Sequence, residues 1–408
     1  MVFKKKIKKI IKYNFLKGVT RNVVILGLVS LFTDISSQMV FPLIPLFLIS
    51  VLGAGAYAVG IVEGAAETTA SILKVVSGFW SDKIKRRKPF VLFGYSLSTI
   101  TKPLFALAGV WSFVLFVRVI ERIGKGIRDA PRDAIVAESV SRDVRGKAYG
   151  FQRSMDGFGS IIGAVLAFFL LPILGYRNIF LFAFIPGVLA VLIILFLKEK
   201  KVLVKEKVKS MSLEVSFKKL SWNLRLFIIV SAIFAMGQYG YAFLLLRAKD
   251  IGLSDHISIL LYIIFYVAYV LFAIPSGIIS DKVGRKPVLI MGYFIFVLTS
   301  IGLVFVTGIS SLLVFFILYG LFFSIVDGVQ RAFVVDLAPN HLKATALGTF
   351  HTAIGLVALP GGFIAGLLWD KISPQTTFLY GLSLSIVALI LFMFVKNNVP
   401  IKKLSKVL

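Results

Sequence analysis

GFWSDKIKRRKP, residues 78–89, is echoed by GIISDKVGRKPV, residues 277–288, which begins 199 residues later in a chain of 408. Each copy closes a long apolar run with an aspartate, a cluster of bases and a proline, and another apolar run follows. A charged phrase written twice at half the chain length marks a duplicated fold. Around it the composition is 58% hydrophobic and only 16% charged, with a mean hydropathy of +0.93. A soluble protein of this size would need far more polar surface. Apolar runs of membrane-spanning length recur between short charged or Gly/Pro-marked connections, which predicts a polytopic all-α membrane protein. The ~10-residue alternating segments of an outer-membrane barrel are absent.

Twelve spans are expected, at roughly 22–50, 57–80, 89–108, 111–139, 147–172, 176–197, 223–248, 256–280, 287–307, 310–338, 342–369 and 374–396. The Lys-rich stretch 198–222, with Glu199, Glu206 and Glu214, divides an N-terminal six-helix bundle (1–197) from a C-terminal one (223–408) with a short tail. The halves match beyond the phrase. Arg132 and Arg331 are again 199 apart, and Gly150 and Gly348 are 198 apart, as one loop deletion produces. Two pseudo-symmetric six-helix bundles with a pathway between them follow.

The net charge of +27 is unevenly spread. Bases concentrate at 4–21, 83–88, 142–147, 198–219, 282–286 and 396–406, whereas the connections near 52–57, 109, 175–178, 307–310 and 370–373 carry few. This alternation is the positive-inside pattern, so both termini and the central linker are expected in the cytoplasm of a plasma-membrane protein. Orientation and lipid headgroups account for the charge, and nucleic acid is not an expected partner. There is no cysteine, hence no disulfide or thiolate metal site. The basic start leads into a full-length span containing Asp34 rather than a short apolar segment and cleavage site, so it is expected to be retained.

These residues resemble the major facilitator superfamily over almost the whole chain. Its loop motif, G-x-x-x-D-[RK]-x-G-[RK]-[RK], is matched by Gly277, Asp281, Lys282, Gly284, Arg285 and Lys286. In the first copy Gly78, Asp82, Lys83, Arg86 and Arg87 match, and Lys85 stands where glycine is expected. The glycine lets helices approach closely, and the aspartate suits the positive N-terminal end of a neighbouring helix. The resemblance implies a latch between the halves that closes the cytoplasmic side, formed by Gly78, Asp82, Arg86, Arg87, Gly277, Asp281 and Arg285. LFVRVIERIGKG in span four is similar to the R-x-x-Q-G-x-G of drug–proton antiporters at Arg118 and Gly124, with Glu121 and Arg122 as departures. GSIIGAVLA in span five is similar to the antiporter G-x-x-x-G-P, with Ala164 in place of proline.

A charge at bilayer depth costs at least ~2.5–3.5 kcal/mol, so intramembrane charges should be paired or line a wet cavity. Asp34 lies in span one with Gln38 a turn further on, and Glu63, Glu67 and Lys74 share a face of span two. Arg118, Arg122, Lys125, Asp129 and Arg132 form one stripe on span four, at helical spacings of four, three, four and three. Arg153 and Asp156 lie in span five. Glu63, Lys74, Arg128 and Asp133 read as neutralising partners. Asp34, Glu67, Asp156, Arg118 and Arg122 read as proton-coupling candidates: Asp34 is the principal carrier, and Arg118 or Arg122 displaces its proton when helices close. Gln38, Arg132, Gln238, Tyr239, Asp327 and Arg331 are the candidates for the substrate cavity, since the resemblance implies that helices one and four and their repeat partners line it. The stripe Tyr262, Tyr266, Tyr269 reads as packing, and His351 as structural.

No metal cluster, phosphate-cradling loop or nucleophile triad is present, and the three histidines are scattered, so neither a cofactor nor an intramembrane enzyme is expected. A duplicated latch suits a channel poorly. The expected function is proton-coupled export of an amphipathic or drug-like small molecule by alternating access, in a monomer embedded in the bilayer. Exchange or uptake of an organic anion is the alternative, motivated by the bases from Arg118 to Arg132.

Overall fold

The computed structural model describes residues 18–84, 86–141, 144–199, 217, 220–339 and 342–396. The basic start, Lys85, Arg142, His341, most of the linker with Glu206 and Glu214, and the C-terminal tail lie outside them. The described residues form α1 (Arg21–Gln38), α2 (Leu43–Ser50), α3 (Ala56–Ile84), α4 (Lys88–Leu104), α5 (Trp111–Ser139), α6 (Arg145–Phe182) and α7 (Phe184–Leu195) in the first half. The second half has α8 (Trp222–Gly237), α9 (Gly240–Asp250), α10 (Asp255–Val283), α11 (Arg285–Phe305), α12 (Ile309–Leu337), α13 (Lys343–Lys371) and α14 (Pro374–Met393).

Twelve crossings result. Span one is α1 plus α2, interrupted before Pro42, which has no amide donor to continue the ladder. Span seven is α8 plus α9, broken at Gln238–Tyr239, where Gly240 takes a φ of 60°. Within α6, Gly175 (φ 70°, ψ 172°) turns the chain from span five into span six. Nine of the described helical stretches are long and apolar enough to cross a membrane; spans five and six count there as one. Spans two and four fall short because they carry Glu63, Glu67 and Lys74, and the Arg118–Arg132 stripe.

The duplication extends to the hydrogen bonds. Lys88 Nζ donates to the carbonyls of Leu195 (2.9 Å) and Leu197 (2.7 Å), and Lys286 Nζ donates to those of Met393 (2.9 Å) and Val395 (2.7 Å). Each lysine thereby satisfies orphan carbonyls at the end of the last helix of its half. The equivalent carbonyls ending spans three and nine are also capped, though by donors from non-equivalent spans: Ala106 and Ala108 accept from Arg177, Val304 and Val306 from Arg247. The helix ends near Asn22, Lys88, Ser139 and Lys198 meet at one face of the first half. Those near Asn223, Lys286 and Lys396 meet at the matching face of the second. This is the basic face; the opposite, neutral face carries the expected charge-poor connections.

The two cores differ. The second half is packed with rings: Phe234 stacks on Tyr293 at 3.8 Å, and Tyr239, Phe296, Tyr319 and Phe322 continue the cluster. The first half buries ionic side chains among its apolar ones, including Arg118, Glu121, Arg128 and Lys102.

Candidate functional site

The site lies where the halves face each other, and small residues set its geometry. Spans two (α3) and eleven (α13) run antiparallel in close contact. A Cβ on Gly362 would lie 2.4 Å from the Gly60 carbonyl oxygen, and one on Gly366 2.4 Å from that of Ala56. Only glycine permits this backbone approach. Further along, a Cβ on Gly355 would meet the Ser71 side chain at 2.5 Å, and one on Gly348 would find Val75 no nearer than 3.6 Å. The two helices therefore separate towards the basic face.

Polar contacts between the halves follow the same gradient. At the neutral face the Asp370 carboxylate, at the end of α13, accepts from the amides of Ala56 (2.9 Å) and Tyr57 (2.8 Å), the first residues of α3. Asp255 accepts from Ser50 Oγ (3.2 Å) and Tyr176 OH (2.5 Å), and His256 stacks on Phe168 at 3.8 Å. Deeper, Tyr262 OH donates to Gln38 Oε1 (2.7 Å), and Thr68 Oγ1 donates to the Gly355 carbonyl (2.5 Å). These contacts run from the neutral face to mid-depth and shut that end.

At the basic face both motif aspartates are paired within their own half. Asp82 meets Arg87 (2.9 Å), which also pairs with Glu138 (2.8 Å); Asp281 meets Arg285, which reaches Asp336 (3.4 Å). Side-chain exposures of 55% for Asp82 and 63% for Asp281 place both at the rim. Two expectations need correction. Arg87, not Arg86, is the counterpart of Arg285, and Lys88 that of Lys286, so the first copy holds one extra residue between Asp82 and Arg87 rather than a lysine replacing a glycine. In the second copy Gly284, at φ 105°, makes the break between α10 and α11. Close helix approach holds at Gly78, whose Cβ would lie 3.3 Å from Ala130, and not at Gly277, which has nothing within 4 Å.

Between the closed neutral face and the separated basic face lies a cleft in which Asp34, Lys125, Asp156, Tyr266 and Asp327 are half-buried. Glu67 is exposed yet lies within electrostatic reach of Lys125 on span four, so it faces the protein interior rather than lipid. At about 1.5 Å per residue, Asp34 stands ~20 Å along α1 from the basic face. Gly159 and Gly163 of α6 press span five onto span one, where a Cβ on Gly159 would lie 3.1 Å from that of Asp34. This gives the G-x-x-x-G of GSIIGAVLA a structural use. Asp34 is within electrostatic reach of Asp156, Lys125, Arg128 and Arg132, and of Tyr266 on α10 opposite. Asp156 also pairs with Arg153 at 3.7 Å. Towards the mouth, Asp327 pairs with Arg331 on α12, with Arg153 and Lys74 of the other half in electrostatic reach. His351 lies near the same charges.

Three candidates are not where the sequence put them. Arg118 is fully buried, held by Glu63 (3.0 Å) and Glu121 (3.3 Å) and stacked over Phe41 at 4.1 Å. Arg122 shares Glu121 and Phe41 with it. The bases around Asp34 are Lys125, Arg128 and Arg132 instead, because the Arg118 end of the stripe faces Glu63 of span two. Tyr239 is only 3% exposed, with its hydroxyl against Ser300 and its ring among Phe296, Tyr319 and Phe378, so it belongs to the second-half core and not to the cleft. Gln38 and Tyr262 form a strut between halves, and Gln238 caps α8 at the break in span seven.

Sequence reasoning missed Lys102, fully buried with Nζ donating to Ser36 Oγ (2.6 Å) and within electrostatic reach of Asp34 and Glu121. Its signal was available: a lone lysine inside the apolar run of span three. It also missed the neutral-face aspartates, Asp255 and Asp370. Among the described residues no three His, Asp or Glu side chains converge as a metal site.

The Major Facilitator Superfamily model matches residues 26–247 and again 226–407. An uncharacterized MFS-type transporter of Methanocaldococcus jannaschii is 40% identical over 387 residues, 93% of this chain and 96% of that one. The multi-drug resistance efflux pump PmrA of Streptococcus pneumoniae is 32% identical over 133 residues, 32% of this chain and 33% of that one. The crystal structure of the nucleoside transporter NupG superposes with a TM-score of 0.76 at 17% identity, covering 92% of this chain and 98% of that one, a likeness of fold alone. A duplicated twelve-crossing fold, a cleft between its halves and matches over both halves together place the chain in the Major Facilitator Superfamily, as one of its membrane transporters.

Proposed function

We propose that the chain couples proton movement to export of an amphipathic or drug-like small molecule across the plasma membrane, by alternating access as a monomer. The basic face is the cytoplasmic one, on the positive-inside argument, and the arrangement described above is then open to the cytoplasm. The observation that carries the reading is the pair of carboxylates, Asp34 and Asp156, at mid-depth among Lys125, Arg128 and Arg132. How readily an acid in such a place takes up a proton depends on its separation from the neighbouring acids and bases. Closing the cleft changes those separations, because span five packs on α10 of the other half: a Cβ on Gly157 would lie 3.4 Å from Val270. The aromatic wall of Tyr266 and Tyr269 offers an apolar face to a substrate opposite the charged one. The similarity to a multidrug efflux pump supports export.

The test is flux in proteoliposomes carrying an imposed pH difference. Asn at position 34 mimics a permanently protonated side chain, so Asp34→Asn should abolish uphill accumulation and leave substrate binding intact. Accumulation against the gradient by Asp34→Asn removes Asp34 from the coupling role. The excess of bases on span four favours organic-anion exchange as a second reading. Substrate charge and direction of flux separate the two.

A further inference from the structure

The basic phrase of the first half holds more charge than the structure uses. Residues 83–88 contain Lys83, Lys85, Arg86, Arg87 and Lys88, against Lys282, Arg285 and Lys286 in the second copy. Arg87 is committed to Asp82 and Glu138, and Lys88 to two carbonyls. Lys83 and Arg86 are exposed, and neither makes a hydrogen bond or ion pair among the described residues. The one-residue insertion that distinguishes this turn from its repeat thus leaves extra positive charge at the membrane boundary.

Directly beneath that turn is a groove of about 410 Å³ between the last turns of α3 and the first of α4, lined by Leu73, Val76, Trp80, Phe90, Phe93 and Ile127, with Pro89 and Ser77. Its floor is sealed. Gly126 brings span four against span two, where a Cβ would lie 2.6 Å from that of Leu73, and the Ser77 hydroxyl is spent on the Gly126 carbonyl at 2.8 Å. Trp80 (54% exposed) and Phe93 (56%) flank an opening on the outer surface of the bundle. From Trp80 to Leu73 the groove descends about 10 Å along the helix. Lys83 lies one turn beyond Trp80 on the same helix face, and Arg86 lies in the connection that joins the groove's two walls.

An apolar slot facing hydrocarbon, with a tryptophan at its rim and two unpaired bases above it, matches a lipid whose headgroup is negative. We propose that this groove binds one hydrocarbon chain of an anionic membrane phospholipid, with the phosphate held by Lys83 and Arg86. In the second copy, among the described residues, Lys282 alone is left over: Arg285 and Lys286 are both committed, and the extra residue that supplies Arg86 is missing.

The experiment is native mass spectrometry of the purified full chain with equal amounts of palmitoyl-oleoyl phosphatidylglycerol and phosphatidylcholine. The parent protein should retain one phosphatidylglycerol preferentially. The double variant Lys83→Gln/Arg86→Gln should lower that affinity by about thirtyfold, from the attraction of two bases to an anionic headgroup, whereas Lys282→Gln should leave it unchanged. Val76→Trp, which fills the slot, should weaken retention of both lipids. Equal binding of the two lipids by the parent overturns the proposal, as does a phosphatidylglycerol preference that survives the double variant. A mass of two chains displacing lipid would assign the groove to a second copy and also overturn it.

Discussion

Asp370→Ala should open the neutral face. Its carboxylate accepts from two amides at the start of α3, Ala56 at 2.9 Å and Tyr57 at 2.8 Å, and so caps a helix in the opposite half. Removing a helix cap costs about 0.5–2 kcal/mol, and the attraction of an exposed carboxylate to the helix dipole contributes about 0.3–1 kcal/mol. Because Asp370 is exposed, the lower part of the range applies, and about 1 kcal/mol is a fair figure. All of it belongs to the state closed at the neutral face, since the contact exists only there. The ratio of closed to open should fall about fivefold. Full opening is not expected, because Asp255 still holds Ser50 and Tyr176. The chain has no cysteine, so Val110→Cys and Ile309→Cys, at exposed neutral-face positions of opposite halves, give a unique spin-label pair. Double electron–electron resonance should show the longer distance gaining population in Asp370→Ala. Asp370→Asn, which keeps one acceptor oxygen, should fall between the two. An unchanged distribution in Asp370→Ala would refute the assignment of this contact as a gate.

Asp82→Asn should shift the opposite equilibrium: the conformation described here uses Asp82 only at the exposed rim, so the loss should fall on the state closed at the basic face, by several-fold. A label pair across the basic mouth reads this as a longer mean distance, and no change counts against the latch. Arg118→Met should lower the thermal unfolding midpoint markedly, because Glu63 and Glu121 lose their buried partner, a change of about 3–5 kcal/mol. Adding Glu63→Gln should recover part of it, whereas Glu121 is still needed by Arg122; an unaltered midpoint for Arg118→Met alone would exclude a structural role.

Hydropathy, repeat spacing and basic alternation made the twelve crossings and their two halves legible, because a bilayer imposes length and polarity on each segment independently. The site was legible only in part. Spacing placed Arg118 and Arg132 on one stripe of span four, but a stripe does not say which neighbour it meets at each depth. Glu63 takes its Arg118 end, and Asp34 and Asp156 face the Lys125–Arg132 end. Tyr239 read as a cavity residue because it is polar within a span, yet the break before Gly240 turns its ring into the aromatic core. Asp370 and Asp255 sit at helix ends beside connections that carry few bases. Besides the local pair of Asp255 with Lys249 (2.7 Å), their partners are backbone amides and hydroxyls of the other half, 314 residues away in the case of Ala56, and no local pattern encodes those.

The duplicated phrase gains its meaning from the antiparallel pairing of spans two and eleven. Span two starts at the neutral face and carries Asp82 in its last turn at the basic face; span eleven starts at the basic face and carries Asp370 in its last turn at the neutral one. Each helix therefore ends in an acid at the level where its partner presents unsatisfied amides. In the present conformation the Asp370 contact is made, while Asp82 turns to Arg87 and the Gly348 end stands apart. The close glycine contacts at Gly60–Gly362 and Gly366–Ala56 lie near the neutral end, so rocking about them moves the basic ends furthest. Bringing Asp82 to the start of α13 requires the Gly348–Val75 gap to close, and pivoting on that side draws Ala56 away from Asp370. On the proposed alternating-access reading, one acid would then release as the other engages. Two weak contacts of about 1 kcal/mol each suit such an exchange, since a latch much stronger than that would hold the transporter in one state.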